Sequence, residues 1–475
     1  MDTVVVLMLE NRSFDHLAGY LQEPGYGIDG LTGEEFNYRN PSDPASPMEL
    51  VSDNAPYVPD LDPDANHDVR DVAVQLFGSV SPAPNAQPMN NGFVYDYGQV
   101  AGVQAKDARR VMDCFASKKL PVLSTLAKEF ALCDHWFSSV PGPTWPNRFF
   151  LHACTSLGYT DNNPRDYNMR TIFENISDVG KTWRIYFHSP DLPQSIMLSN
   201  LRNLKYLRFF ENVSAFFRDC NQGRLPNYSF IEPRYFTKLG KPANDEHPCN
   251  GVVEGEKLIA AVYEALRSSP QWNNSLLLVL WDEHGGFYDH VAPGPAANPD
   301  GRVSPECDFS LLGVRVPAIL VSPLIPKQTI VKKVLDHSSL AATLKVVFDL
   351  RSFLTKRDGS ANRFDDILTL RQPRGDCPLT LAGPSIAQEV VPVEDVREAA
   401  KQIDAAAGLA DRSPSELQKH FVSAANYLSQ AHLLGVPAMK PALFGTEGEA
   451  GSHVAAVTER LLSVRDQQKS PQTAH

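Results

Sequence analysis

Residues 275–290 read Ser-Leu-Leu-Leu-Val-Leu-Trp-Asp-Glu-His-Gly-Gly-Phe-Tyr-Asp-His, a short apolar run followed by two acids, a histidine and two glycines. An unbroken apolar run of this length, bounded by turn formers, predicts a strand buried on both faces, as in parallel sheets. Ligands of open α/β sheets bind beyond the carboxyl ends of the strands. Asp282, Glu283 and His284 are therefore candidate site residues, although acids and glycines also occur in ordinary strand-end turns.

A second stretch has the same layout. Residues 4–9 read Val-Val-Val-Leu-Met-Leu and are followed by Glu10 and Asn11. If the two strands are neighbours, four oxygen-bearing side chains converge at one edge of the sheet. Carboxylate and amide oxygens suit a hard or borderline divalent cation. We therefore predict that Glu10, Asn11, Asp282 and Glu283 form a metal site; the alternative is that Glu10 only caps the following helix.

Composition limits the classes of protein to consider. The chain has 475 residues, 43% of them hydrophobic, enough for a large core, and a net charge of -12. That charge argues against nucleic-acid binding and against attraction to an anionic membrane surface, but not against a zwitterionic lipid substrate. The start of the chain does not resemble a signal peptide, so we expect a cytoplasmic protein, or a secreted or periplasmic one if an export signal was removed.

Two further patterns concern transmembrane segments and cysteines. No run approaches the ~18 apolar residues of a spanning helix. The seven cysteines are odd in number and contain no CxxC pair, so we expect reduced thiols.

The remaining chain alternates between strand and helix patterns. Strands are predicted at 182–187, 228–231 and 314–321, and helices at 254–268 and 336–348. This alternation predicts an α/β sandwich. From about residue 391 the pattern becomes helical, with helices predicted at 399–407 and 417–434 and a frayed tail after residue 467. We predict a catalytic domain over 1–390 and a smaller, mainly helical region over 391–475.

Thr144 lies between two prolines, just before the apolar helix predicted at 149–153. Threonine is a good helix N-cap, so one interpretation is that Thr144 only caps this helix. The other is functional, because a helix start binds phosphate oxygens, and a hydroxyl held there beside a metal can act as a nucleophile. Asn147 and Arg148 would then bind phosphoryl oxygens.

Attack by such a hydroxyl on a phosphate ester would also need a general acid to protonate the leaving alkoxide, and histidine is the usual choice near neutral pH. Spacing alone selects none of the thirteen histidines. The candidates are His67, His247, His284, His290 and His337.

Three stretches together carry a family resemblance. Residues 9–16 (Leu-Glu-Asn-Arg-Ser-Phe-Asp-His), 143–148 (Pro-Thr-Trp-Pro-Asn-Arg) and 282–291 (Asp-Glu-His-Gly-Gly-Phe-Tyr-Asp-His-Val) resemble the signature blocks of the phosphoesterase family. That family contains non-specific phospholipases C of plants and bacteria and a group of bacterial acid phosphatases. The resemblance spans about residues 3–390.

The resemblance implies an alkaline-phosphatase-like α/β/α sandwich and one divalent cation, which could be Ca²⁺, Mg²⁺, Mn²⁺ or Zn²⁺. By position, Thr144 matches the nucleophile, which would displace the alcohol and form a phosphothreonine that water then hydrolyses. The residues that match the metal and phosphate positions are Glu10, Asn11, Asp282 and Glu283, and those that match the histidines around the leaving group are His67, His247 and His284. Asp289 and His290 are interpreted as structural.

We expect a phospholipase C that converts phosphatidylcholine-like lipids to diacylglycerol and a phosphorylated head group, with transient contact with a membrane surface. The alternative is an acid phosphatase acting on phosphomonoesters, because the family contains both. A third hypothesis is a non-catalytic anion-binding scaffold. The sequence does not decide the metal, the head group, the oligomeric state or the role of the helical C-terminal region.

Overall fold

The computed structural model of the chain describes residues 1–22, 25–43, 45–57, 61–83, 85–238, 241–383, 410–432 and 434–469. Its strands are β1 Thr3–Leu9, β2 Phe36–Tyr38, β3 Met48–Leu50, β4 Ala131–Cys133, β5 Trp136–Phe137, β6 Trp183–Phe187, β7 Phe210–Asn212, β8 Tyr228–Ile231, β9 Ser275–Trp281, β10 Ala318–Val321, β11 Thr329–Val331 and β12 Leu335–Asp336. Within these residues, the main sheet has eight strands in the order β11-β4-β10-β9-β1-β8-β6-β7.

Strands β1 and β9 lie side by side in the middle of this sheet. They run parallel, and their register pairs Leu9 with Trp281 at the carboxyl ends. Every residue of both strands is buried, as expected for apolar strands covered on both faces. The predicted condition for a shared site, that the two strands are neighbours, is therefore met.

The predicted strand at 314–321 is shorter in the structure. Strand β10 begins at Ala318 and pairs antiparallel with β9. Residues before it leave the main sheet: the N–H of Val316 donates to the carbonyl of Trp136 in β5. Pro317 separates the two parts because it has no N–H to offer the sheet.

The helices are α1 Phe14–Ala18, α2 Val69–Phe77, α3 Phe93–Tyr97, α4 Pro121–Glu129, α5 Thr144–Ala153, α6 Ile172–Asp178, α7 Leu204–Leu207, α8 Val213–Asn221, α9 Val253–Arg267, α10 Ser338–Val347, α11 Lys356–Ser360, α12 Glu416–Ala431 and α13 Glu447–Lys469. Helices α4 and α8 pack against α9, whereas α6 and α10 pack against α5. Because β1 and β9 are buried on both faces, these two sets are the outer layers of the sandwich. The predicted α/β/α class is confirmed.

Helices α12 and α13 pack against each other. A side chain of each helix forms a hydrogen bond with the backbone of the segment that follows β8. The amide of Gln418 donates to the carbonyl of Tyr235 at 3.0 Å, and the carboxylate of Glu447 accepts from the N–H of Thr237. Helix α12 matches the helix predicted at 417–434. The helix predicted at 399–407, the boundary at residue 390 and the tail from residue 470 lie outside the described residues.

The structure bears on two expectations from the sequence, one about membrane-spanning helices and one about the cysteines. Among the described residues, no helix combines the length and the apolar composition needed to cross a membrane. All seven cysteines lie in the described part of the chain and are free thiols, as expected.

Candidate active site

The parallel pairing of β1 with β9 brings the four predicted metal residues together. The N–H of Asp282 donates to the carbonyl of Leu9 and continues the ladder by one residue. The N–H of Asn11 then donates to Asp282 Oδ1 at 3.0 Å, and the N–H of Glu283 donates to the same oxygen at 2.8 Å. Asp282 therefore joins the two strand ends with one carboxylate oxygen and leaves the other oxygen free.

The turn after β9 explains one of the two glycines. Gly285 has φ +64°, and a Cβ at this position would lie 2.5 Å from the carbonyl oxygen of Asn11. Asn11 itself has φ 49°, in the left-handed region that asparagine tolerates better than most residues. The two backbones approach too closely for any side chain other than hydrogen at position 285.

One side-chain oxygen of each predicted metal residue is buried and has no hydrogen-bond partner in the structure. A buried polar atom without a partner is unfavourable, so such atoms indicate a missing ligand or water. Four of them lie at one sheet edge, three on carboxylates, and they are oxygen donors of the kind that a divalent cation prefers. The atoms are Glu10 Oε2, Asn11 Oδ1, Asp282 Oδ2 and Glu283 Oε1.

Burial changes the charge balance of these acids. It raises the pKa of Glu10 well above its ordinary value and that of Asp282 to about 6, and in both cases the charge of Arg148 opposes the change. Burial acts in the same direction on Glu283, but His67 and His284 outweigh it and lower the pKa of Glu283. Additional positive charge would therefore favour the ionised form of the first two carboxylates.

Thr144 is the first residue of α5, and the N-cap is Pro143. The interpretation of Thr144 as the N-cap is therefore wrong by one position, because Pro143 has the extended backbone of a cap. The Thr144 hydroxyl is buried and has no hydrogen-bond partner. Arg148 lies one helical turn further on, on the same face of α5, and contacts the carboxylate cluster. Thr144 thus faces the same side as the cluster.

The backbone amides at the start of α5 offer little to a phosphate. The N–H of Trp145 donates to Asn162 Oδ1 at 2.8 Å, and Pro146 has no N–H. Asn147 was predicted to bind substrate, but its amide is fully engaged with the preceding loop. It accepts from the N–H of Val140 and donates to the carbonyls of Val140, Gly142 and Pro143. This arrangement fixes the loop that leads to Thr144.

Arg148 lies within the carboxylate cluster. Its Nη2 is 2.5 Å from Glu10 Oε1, and its Nε is 3.5 Å from Asp282 Oδ2. Its Nε and Nη1 have no hydrogen-bond partner. Burial alone would lower the pKa of Arg148, but Glu10 and the other neighbouring acidic groups raise it. The guanidinium is therefore charged and has two nitrogens that donate no hydrogen bond to the protein, as binding of phosphoryl oxygens requires.

Of the three predicted histidines, His67 lies beside the cluster. Its Nε2 is 3.3 Å from the Asn11 amide nitrogen and 3.6 Å from Glu283 Oε1. Burial alone would lower the pKa of His67, but Glu283 and the Ala65 carbonyl help to raise it to about 9. His67 is therefore protonated near neutral pH.

The other two histidines have different surroundings. The Nδ1 of His247 lies 3.1 Å from Cys249 Sγ, and burial lowers the pKa of His247, as do His67 and Arg12. The Nε2 of His284 lies 2.6 Å from Gln75 Oε1, and burial lowers the pKa of His284 against the opposing effect of Glu283. Both rings are therefore neutral, and His284 is held by α2.

One known protein family matches this chain over the residues that form the site. A model described as the phosphoesterase family matches residues 1–351. The chain belongs to the phosphoesterase family. As a phosphoesterase it is a hydrolase of phosphoric esters, and the resemblance seen in the sequence is confirmed.

Named relatives match most of the chain. Non-specific phospholipase C3 of Arabidopsis thaliana is 41% identical over 454 residues, covering 91% of this chain and 83% of the relative. Non-specific phospholipase C4 of the same plant is 42% identical, with coverage of 80% and 74%. Phospholipase C B of Mycobacterium tuberculosis strain H37Rv is 27% identical, with coverage of 73% and 72%. A solved structure of a Vibrio parahaemolyticus protein in the alkaline phosphatase superfamily aligns with 62% of this chain and 80% of its own, with a TM-score of 0.32 and 10% identity.

Two residues of this phosphoesterase contact the site without having been predicted to do so. The Gln194 amide donates to Glu10 Oε1 at 2.7 Å from a short 3-10 helix. His337, considered only as one of several histidines, places its Nε2 2.6 Å from the carbonyl oxygen of Asp282. Gln194 follows no strand directly, and the strand before His337, β12, has only two residues, so the pattern of a long apolar run with an acidic end gives no signal for either residue.

Asp289 and His290 belong to a separate, internally paired group. Arg315 donates to Asp289 Oδ1 at 2.8 Å and to Asp15 Oδ1 at 2.9 Å. His290 Nδ1 lies 2.7 Å from Asp15 Oδ2. The carboxylates and the imidazole therefore have hydrogen-bond partners within the group, which agrees with the structural interpretation of Asp289 and His290.

Proposed function

We propose that this phosphoesterase is a hydrolase of phospholipase C type, which cleaves glycerophospholipids such as phosphatidylcholine to diacylglycerol and a phosphorylated head group. The observation that carries the proposal is the buried, unpartnered hydroxyl of Thr144 on the face of α5 that contacts the carboxylate cluster. The relatives named non-specific phospholipases C, which match most of the chain, support the lipid substrate. We further propose that the substrate is reached through transient contact with a membrane surface.

The metal residues would be Glu10, Asn11, Asp282 and Glu283, whose free oxygens fit a divalent cation. A cation bound there would stabilise negative charge on the phosphoryl oxygens and lower the pKa of a nearby hydroxyl. The oxygen donors accept Ca²⁺, Mg²⁺, Mn²⁺ or Zn²⁺. Elemental analysis of protein purified without chelator identifies the ion.

In the proposed reaction the Thr144 hydroxyl releases its proton to solvent and its oxygen attacks phosphorus, and the bond from phosphorus to the diacylglycerol oxygen breaks. Arg148 holds the phosphoryl oxygens with its two unpartnered donors. His67, protonated and beside the cluster, donates a proton to the departing alkoxide. Neutral His247 is the second histidine assigned to the leaving-group side. His284 holds the Glu283 carboxylate in position. Water then hydrolyses the phosphothreonine.

The test replaces the nucleophile. Thr144→Ala should reduce release of phosphocholine from phosphatidylcholine vesicles by about a thousandfold or more. Thr144→Ser is the matched control, because it keeps a hydroxyl at the same position and should retain measurable turnover. Undiminished hydrolysis by Thr144→Ala would show that another group attacks phosphorus.

The acid phosphatase alternative is separated by substrate. The wild-type protein is assayed on phosphatidylcholine vesicles and on p-nitrophenyl phosphate under the same conditions. Turnover of the lipid supports the proposal, whereas turnover of the monoester alone assigns the site to phosphomonoesters. If neither substrate is hydrolysed after metal is restored, the non-catalytic scaffold becomes the better description.

A further inference from the structure

A second group of potential metal ligands lies outside the carboxylate cluster. It consists of Asp64, His247 and Cys249, whose ligand atoms all lie within 4.8 Å of one another. His247 Nδ1 is 3.1 Å from Cys249 Sγ and 3.8 Å from Asp64 Oδ1. Asp64 Oδ1 is buried and has no hydrogen-bond partner. A buried carboxylate oxygen without a hydrogen-bond partner, close to a thiol and an imidazole, indicates a missing ion or water.

The donor set selects the kind of ion. Thiolate and imidazole are ligands of zinc rather than of calcium or magnesium. Tetrahedral zinc with ordinary bond lengths would separate such ligand atoms by about 3.4 to 3.6 Å. The two distances measured from His247 bracket this range, and the remaining pair of ligand atoms lies within 4.8 Å. We propose that Asp64, His247 and Cys249 form a zinc site of this protein, separate from the oxygen cluster at the sheet edge.

Charge is balanced in the proposed site. On binding, the Cys249 thiol releases its proton to solvent and the thiolate sulfur bonds to the ion. The thiolate and the Asp64 carboxylate then carry two negative charges, equal to the charge of Zn²⁺. His247 contributes a neutral imidazole nitrogen.

The site also has an entry path and a supporting layer. Asp64 and Cys249 line a cavity of about 450 Å³ whose far wall is formed by the C-terminal region, including Arg412 and Glu416. This cavity leaves a fourth position for water. Arg412 donates to the Cys249 carbonyl at 3.1 Å, which holds the backbone of the ligand loop. Zinc bound here would join the His247 loop to the segment that carries His67, three residues after Asp64.

The group formed by Asp15, Asp289 and His290 provides a comparison within the same molecule. Its ligand atoms are equally close together, but Arg315 donates to both carboxylates. At Asp64 the charges of His67 and Arg12 oppose the effect of burial on the pKa, but no group among the described residues donates a hydrogen bond to Oδ1. The two groups therefore differ in whether a cation is hydrogen-bonded to the carboxylate oxygens of the group.

The experiment uses Co²⁺ as a spectroscopic probe in the full-length protein after removal of metal by chelation. Cobalt bound to a thiolate has a sulfur-to-metal charge-transfer absorption in the near ultraviolet, whereas cobalt at the oxygen donors of the sheet-edge site has none. Wild type should show this absorption with one equivalent of thiolate-bound cobalt, and Zn²⁺ should abolish it by displacement. Cys249→Ser should lack the absorption. Cys307→Ser, which removes another half-buried free thiol, is the matched control and should keep it.

A second variant covers the case in which Cys249→Ser fails to fold. Asp64→Asn keeps the thiol and should keep the absorption, but with cobalt affinity reduced by at least about tenfold. Absence of the absorption in wild type, its persistence in folded Cys249→Ser, or unchanged affinity in Asp64→Asn would each overturn the proposal. The absorption is read without substrate, so a negative result leaves the proposed phospholipase activity untouched, and an inactive lipid assay leaves the zinc site untouched.

Discussion

Replacing Arg148 by methionine removes the guanidinium that lies between Glu10 and Asp282. The ion-pair distances are 2.5 and 3.5 Å, and the three side chains are at most 3% exposed. Breaking a buried ion pair by removing one partner costs about 3–5 kcal/mol, because the remaining charges lose their compensation. Methionine retains much of the side-chain length, so loss of packing contributes little to this value. We expect Arg148→Met to be destabilised by this amount in metal-free protein.

The expected change in melting temperature follows from the size of the chain. The unfolding entropy of about 2.1 cal/mol/K per residue gives about 1 kcal/mol/K for 475 residues unfolding together. The loss therefore corresponds to about 3–5 °C, which differential scanning calorimetry in the presence of chelator resolves. The loss should be smaller at about pH 5 than at about pH 8. Raised pKa values let Glu10 and Asp282 take up protons as the pH falls, and neutral carboxyls no longer need the guanidinium.

Arg70 provides the matched control for this substitution. Its Nε is 2.7 Å from Glu306 Oε1, but the side chains are 72% and 35% exposed. An exposed pair contributes about 0–1 kcal/mol, so Arg70→Met should shift the melting temperature by no more than about 1 °C. Equal shifts for the two variants, or a shift of Arg148→Met that does not depend on pH, would refute the assignment of Arg148 as the buried counter-charge.

Two further substitutions test the surroundings of the site. Gly285→Ala should lower the melting temperature and the hydrolysis rate, because a left-handed alanine costs about 1–2 kcal/mol and its Cβ would also collide with Asn11. The control is Gly294→Ala, whose Cβ would meet no atom within 4 Å and which should leave both quantities unchanged. Equal effects of the two substitutions would contradict the argument that the backbones at Gly285 and Asn11 approach too closely for a side chain. His290→Gln should be less stable than wild type below about pH 6.5 and equally stable above about pH 9. Burial alone would lower the pKa of His290, but Asp15 raises it to about 9, so its stabilisation is lost as the pH rises through that value. A constant difference in melting temperature across this range would contradict the pairing.

The two central strands could be predicted because their sequences allow one interpretation. The runs at 4–9 and 276–281 are apolar at every position, which predicts burial on both faces. The direction of β10 could not be predicted in this way, since a strand has the same apolar pattern whether its neighbours are parallel or antiparallel. Pro317 was visible in the sequence, but only the structure shows which side of it belongs to the sheet.

The site could be predicted in part for a similar reason. Glu10 and Asp282 follow directly from strands, so their approach depends only on which strands are neighbours. Gln194 reaches Glu10 from an irregular segment, and no periodic pattern gives its position. The role of Asn147 also depended on the structure, because its hydrogen bonds to the preceding loop depend on loop geometry that a motif does not encode.

The position of β1 has a consequence for how the protein is made. Val4 pairs on one side with Tyr228 and on the other with Leu276. The partners of β1 are therefore synthesised more than two hundred residues after β1 itself. Contacts of such long sequence separation form slowly, and an unpaired apolar strand is prone to aggregation in the meantime. The nascent chain must therefore keep residues 3–9 protected until β9 has left the ribosome. Glu10 and Asp282 meet only then, so the carboxylate cluster is completed no earlier than this late step of folding.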